Sequence, residues 1–306
     1  MIINNTSITE VNAADISEDE LFKVSKKNFQ STLPVSLKQS GMLEVPYIFK
    51  NDNGYGILTC HNRLKILREA GITNLKCFVL DRPDAEVFMN HVSLKTYRNE
   101  LGPFGKIKTL SLLNSSFNLS EPVRKEFCTK VLKLASELIE NEAYLNKIMN
   151  FPDTLTGYID EKDISFKIIK DISLLPLDWI AVIDNWLKDT QVRVNIFRMI
   201  VDHLYDIYRR GENISVIETV SFSDDKTLYD SIYRIRYPEY SKLKLKSDNI
   251  INELSGVGLT IEFPEYFDRR SVTLKIDIDK KSDCADQLKK VSKINTDKLS
   301  ELLSLL

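Results

Sequence analysis

The chain has 306 residues, 43% of them hydrophobic and 28% charged, a globular composition with length for about two or three domains. Its 42 Lys and Arg nearly cancel its 44 Asp and Glu, so no whole-chain field draws in a polyanion, and any nucleic-acid role must rest on local basic patches. Cys60, Cys77, Cys128 and Cys284 stand singly with no Cys-x-x-Cys pair, which speaks against a disulfide framework or zinc ribbon and for a reducing, cytoplasmic setting. No run of about 18 apolar residues is long enough to span a membrane, and Met1 to Thr6 lacks the basic-then-apolar order of a signal peptide.

From Phe29 to Gly41, Leu33 and Leu37 recur at helical spacing and Gly41 sits where a left-handed cap is wanted, so a short helix is expected. Val45-Pro46-Tyr47-Ile48-Phe49, the turn signal Asn51-Asp52-Asn53-Gly54 and Tyr55-Gly56-Ile57-Leu58 read as a hairpin. Leu64, Leu67 and Arg68 then mark a helix over 61–70 that Gly71 ends, and Leu75 to Leu80 is a third strand. After Asp81-Arg82-Pro83 the apolar spacing is helical through most of 84–210, with breaks at Gly102-Pro103, Phe151-Pro152 and Pro176. Residues 212–230 look like a linker; beyond it come a helix over 239–254, strands at 259–263 and 272–278, and two final helices. The expected organisation is α+β: a small α+β domain over 1–83, an all-helical domain over 84–211, a linker over 212–238 and a small α+β domain over 239–306.

The stretch Thr59-Cys60-His61-Asn62-Arg63 joins a strand to a helix. First-turn amides have no intrahelical partner and the helix dipole adds partial positive charge, so such a junction is a ready anion site. Arg63 adds a planar guanidinium able to engage two phosphate oxygens, and His61 and Asn62 add donors. The alternative is that these three side chains cap a surface helix and pair with solvent or Glu69.

Residues 33–81 resemble the amino-terminal domain of ParB-type partition proteins, a fold shared with sulfiredoxin and free-serine kinases. The likeness lies in Ser36-Leu37-Lys38, Gly41, Gly54-Tyr55, His61, Arg63, Leu64 and Gly71, and continues in Arg98, Leu101 and Pro103 of LKTYRNELGPFGKI. It implies a nucleotide-phosphate pocket made by His61, Asn62, Arg63 and Arg98, which would take a nucleoside triphosphate, CTP or ATP, with magnesium. The sequence departs from that pattern where Leu94 and Lys95 replace a Glu-Asn pair that organises metal and triphosphate, and where Cys60 replaces a glycine. Cys60 is also out of register for the sulfiredoxin nucleophile. The kinase relatives suggest phosphoryl transfer to a small hydroxylated substrate such as free serine, but their acidic residue is missing from Thr59-Cys60-His61-Asn62-Arg63.

A fainter likeness runs through 151–176, at Phe151-Pro152, Ile159, Ile164-Ser165 and Leu174, although no well-formed helix-turn-helix can be read between 105 and 150. DNA is the partner this likeness implies, with Lys106, Lys108, Arg124, Lys125 and Lys130 as candidate phosphate contacts; the bland reading of such clusters is a solvated helix face. His91 and His203 lack metal-site spacing, so no zinc-type site is expected. Leu299, Leu302, Leu303 and Leu306 form a stripe that either makes a homodimer or covers the 259–278 hairpin.

Overall fold

The sheet of the computed structural model has four strands, β1 (Ile8–Asn12), β2 (Tyr47–Asn51), β3 (Gly54–Ile57) and β4 (Asn74–Leu80), in the order β1-β4-β2-β3. The structure describes residues 7–27, 37, 44–255, 260–275 and 294–306. The expected hairpin forms with Ile48 opposite Ile57 and Phe49 opposite Gly56. Gly56 is required there, because a Cβ would sit 2.2 Å from the Phe49 ring. Strand β4 runs parallel to β2, so the chain must cross over, and helix α1 (His61–Glu69) lies on that crossover. Gly71, at φ +75°, lets the chain leave α1 in the left-handed conformation. Val11, Ile48, Ile57, Leu64, Leu75 and Cys77 form the core between sheet and helix, with Ile48 and Leu64 fully buried.

Strand β1 was not legible in the sequence: it pairs antiparallel with β4, yet only Val11 of its five residues is buried. The helix expected over 29–41 lies, apart from Leu37, outside the described residues.

Nine helices then follow in the described region 84–210: α2 (Ala85–Tyr97), α3 (Pro103–Ser115), α4 (Glu121–Lys130), α5 (Ser136–Glu140), α6 (Glu142–Met149), α7 (Asp153–Glu161), α8 (Phe166–Leu174), α9 (Leu177–Asp189) and α10 (Val194–Arg209). The breaks fall at the expected prolines, with Pro103 in the first turn of α3 and Pro152 and Pro176 immediately before α7 and α9. An irregular segment over 22–27 is fastened to this layer. Phe22 packs edge-on against Phe49 and Phe88, the Ser25 hydroxyl donates to the Glu100 carbonyl at 2.7 Å, and the Lys26 amide donates to Asp160 Oδ2 at 3.2 Å. Asp160 is fully buried and also accepts from the Gly105 amide at 3.1 Å, so one carboxylate ties the segment to the start of α3.

The chain divides into two compact units, residues 1–228 and 229–306. Residues 212–238, read as a linker, carry helices α11 (Ser215–Glu218) and α12 (Asp225–Arg236). Within the first unit, Arg193 Nε donates to Asp225 Oδ2 at 2.7 Å. In the second unit, α13 (Pro238–Ser255), the hairpin β5 (Thr260–Glu262) and β6 (Thr273–Lys275), and α14 (Thr296–Leu303) share a core of Ile250, Leu254 and Leu302, with Ile261, Val272 and Leu299 against it. Leu299 and Leu302 are thus packed within their own unit, while Leu303 remains 43% exposed. Residues 276–278 of the last expected strand, and the first of the two expected final helices, lie outside the described residues. Among the described residues no helix is long and apolar enough to cross a membrane.

Candidate functional site

The strand-to-helix junction is fixed from below. The Leu58 and Thr59 amides both donate to the Tyr47 carbonyl, at 3.0 and 3.2 Å, and the buried Thr59 hydroxyl accepts from the Tyr47 amide at 2.9 Å. This pins the end of β3 against β2. Cys60 then turns the chain with φ +65°, the left-handed conformation that glycine adopts most readily. Helix α1 begins at His61 with no side-chain cap on its first-turn amides.

Four residues singled out from the sequence meet here. His61, Asn62 and Arg63 on α1 and Arg98 at the end of α2 line one cavity of about 270 Å³. Its other walls are Phe22 to Ser25 of the irregular segment, Glu44, and His91, Leu94, Lys95 and Glu100. Sequence reading missed Glu44, Ser25 and Glu100, and left His91 isolated. None of them carries a local motif: they reach the cavity through tertiary packing, and His91 lies on α2 one turn before Lys95.

The cavity is rich in cations. Among the described residues it is lined by Arg63, Lys95, Arg98 and Lys23, the last paired with Glu20 outside the cavity, and by the carboxylates of Glu44 and Glu100. Glu44 sits between the two arginines: Arg63 Nη1 donates to its Oε2 at 2.5 Å and Arg98 Nη1 donates to its Oε1. Burial pushes the Glu44 carboxyl upward, but the hydrogen bonds and charges of Arg98 and Arg63 outweigh it and hold the group below the usual carboxylate range. Burial, and then the neighbouring His91, push His61 down to about 3; burial, and then Lys95, push His91 down to about 3 as well. Both imidazoles are therefore neutral near pH 7. His61 Nε2 is buried and has no hydrogen-bond partner among the described residues, and its ring lines this cationic cavity. Burial raises the Cys60 thiol, which is thus poorly suited to act as a thiolate.

Both carboxylates that line the cavity among the described residues are already engaged by cations. Glu44 is taken by two guanidinium groups, the Lys95 ammonium lies 3.6 Å from Glu100, and among the described residues no three His, Cys, Asp or Glu gather as a metal site.

The candidate DNA contacts are not gathered in the same way. Lys106 and Lys108 are half-buried on α3, where burial lowers both ammonium groups, assisted by Lys133 and Lys26 respectively. On α4, Lys125 donates to Glu140 at 2.5 Å and Lys130 to Glu126 at 2.8 Å, while Arg124 buries its Nε. Lys26 and Lys27 pair with Asp153 and Asp163, at 2.5 and 2.8 Å.

No protein-family model matches the chain, and no curated protein matches it. Among solved structures it is similar to the C-terminally truncated chromosome-partitioning protein ParB from Caulobacter crescentus complexed with CTP-gamma-S, at 12% identity and a TM-score of 0.24 over 60% of this chain and 99% of that one. It is similar also to the C-terminally truncated ParB of the same organism complexed to the centromeric parS site, at 12% identity and a TM-score of 0.31 over 63% and 98%. Superpositions this loose carry no argument about ligands or residue roles; the functional reading rests on the cavity.

Proposed function

We propose that the chain binds a nucleoside triphosphate through its phosphates, in the cavity between the start of α1 and the end of α2, and associates with DNA as its amino-terminal resemblance to ParB-type proteins implies. One observation carries the reading: Arg63 and Arg98, 35 positions apart in sequence, converge on a single carboxylate beside first-turn amides without a side-chain cap and a His61 Nε2 that has no partner among the described residues. Two guanidinium forks around one anion, at a helix amino terminus, are what a phosphate requires.

CTP or ATP suits this reading. The phosphates take the Arg63, Arg98 and first-turn donors, and the apolar part of the wall, Leu94 and Phe22, borders the remaining space. Positive charge that a divalent ion supplies elsewhere comes here from Arg63, Lys95 and Arg98 of the chain itself. Among the described residues both carboxylates that line the site, Glu44 and Glu100, are engaged by cations, so neither is poised as a base for phosphoryl transfer to serine. The test is calorimetric. Arg98→Ala is expected to weaken CTP or ATP binding about tenfold or more, since charge-assisted hydrogen bonds contribute roughly 1.5–3 kcal/mol, whereas Lys125→Ala, a surface lysine on α4, leaves it unchanged. Equal affinity in wild type and Arg98→Ala contradicts the reading.

A further inference from the structure

Glu44 belongs to no motif, yet it accepts hydrogen bonds from both arginines of the cavity. Its two oxygens are divided between Arg63 and Arg98, one each, and its side chain is 26% exposed against 24% for Arg63 and 42% for Arg98. A phosphate that engages both guanidinium groups needs the same donors and the same space between them. Two anions cannot share that place without strong repulsion at so short a distance. We propose that Glu44 is an internal anion that occupies the phosphate position and must be displaced by the ligand, so that it sets the affinity and the charge threshold of the cavity.

This rests on the phosphate-binding reading above. The carboxylate holds the two arginines in place while the cavity is empty of ligand, and it selects against weakly charged occupants. A single phosphate offers little advantage over a carboxylate already in position. A triphosphate carries several negative charges and can engage Lys95 and the first-turn amides as well, so it competes successfully.

The experiment titrates inorganic tripolyphosphate and, separately, orthophosphate into the full chain, as wild type, Glu44→Gln and Glu44→Ala, with a thermal melt of each protein. Glu44→Gln keeps the shape and removes the charge. It is expected to bind tripolyphosphate about tenfold tighter than wild type, and to show orthophosphate binding that wild type lacks. Glu44→Ala repeats the test with a side chain that can bond to neither guanidinium, should the glutamine form melt early. Tighter binding in the variants, or binding seen in them alone, supports the proposal. If wild type binds tripolyphosphate and neither variant binds it more tightly, the inference is overturned and the phosphate site stands. If none of the three proteins binds, the phosphate-site reading fails and the inference with it.

Discussion

At the residue scale the cavity sets opposed charge effects side by side. Glu44 is held ionised by Arg98 and Arg63, whereas His61 and His91, a few residues away in space, are held neutral by burial and by surrounding cations. The sign of the resulting pH dependence follows directly. A histidine whose folded pKa of about 3 lies below its unfolded value of about 6.5 binds more protons when unfolded, so stability is highest above about pH 6.5 and falls as the pH drops toward 3. The imidazole proton resonances of His61 and His91 are therefore expected not to titrate between about pH 8 and pH 5, and thermal stability is expected to decline over the acid side of that range. Titration of both rings near pH 6.5 contradicts the buried, neutral assignment. His61, Asn62, Arg63 and Arg98 were legible from the sequence because a strand-to-helix junction and a second short motif mark them. Glu44 was not, since a lone carboxylate before a strand has no local signature, and only the approach of α1 and α2 gives it two arginine partners.

At the element scale, helix α1 serves two masters. Its buried face anchors the fold through Leu64, which is fully buried against Ile48, Ile57 and Leu75, and the adjacent residue Arg63 faces the cavity. Leu64→Ala is expected to cost about 2–5 kcal/mol of stability in urea unfolding and to weaken ligand binding through loss of the α1 position. A loss below about 0.5 kcal/mol contradicts the assigned core. The hairpin, α1, β4 and the proline breaks of the helical layer were readable because each has strong turn or capping chemistry: Asn53-Gly54, Gly71, Pro103, Pro152 and Pro176. Strand β1 was not, because Ile8 is 54% exposed and the strand is defined by its pairing with β4 rather than by alternating burial. The irregular segment over 22–27 was equally silent, since Phe22, Ser25 and the Lys26 amide are held by partners 27 to 134 positions away. Its lysines, Lys23, Lys26 and Lys27, are paired with Glu20, Asp153 and Asp163.

At the scale of the whole molecule, a formal net charge of −2 gives no general attraction for DNA. Any association must come from local phosphate contacts made at the expense of existing ion pairs such as Lys125 with Glu140 and Lys130 with Glu126. Binding is then expected to fall steeply as salt rises from about 50 to 200 mM in a gel shift, and a salt-insensitive or absent shift contradicts the DNA half of the proposal. The central claim is the cavity, and its most direct test is calorimetric titration of CTP, ATP and GTP into wild type and Arg63→Ala, each with and without magnesium. The account predicts saturable binding of at least one triphosphate, lost in Arg63→Ala and changed less than about tenfold by magnesium, because the counter-charge is built into the chain. Absence of binding by all three nucleotides, or binding that survives unchanged in Arg63→Ala, contradicts it.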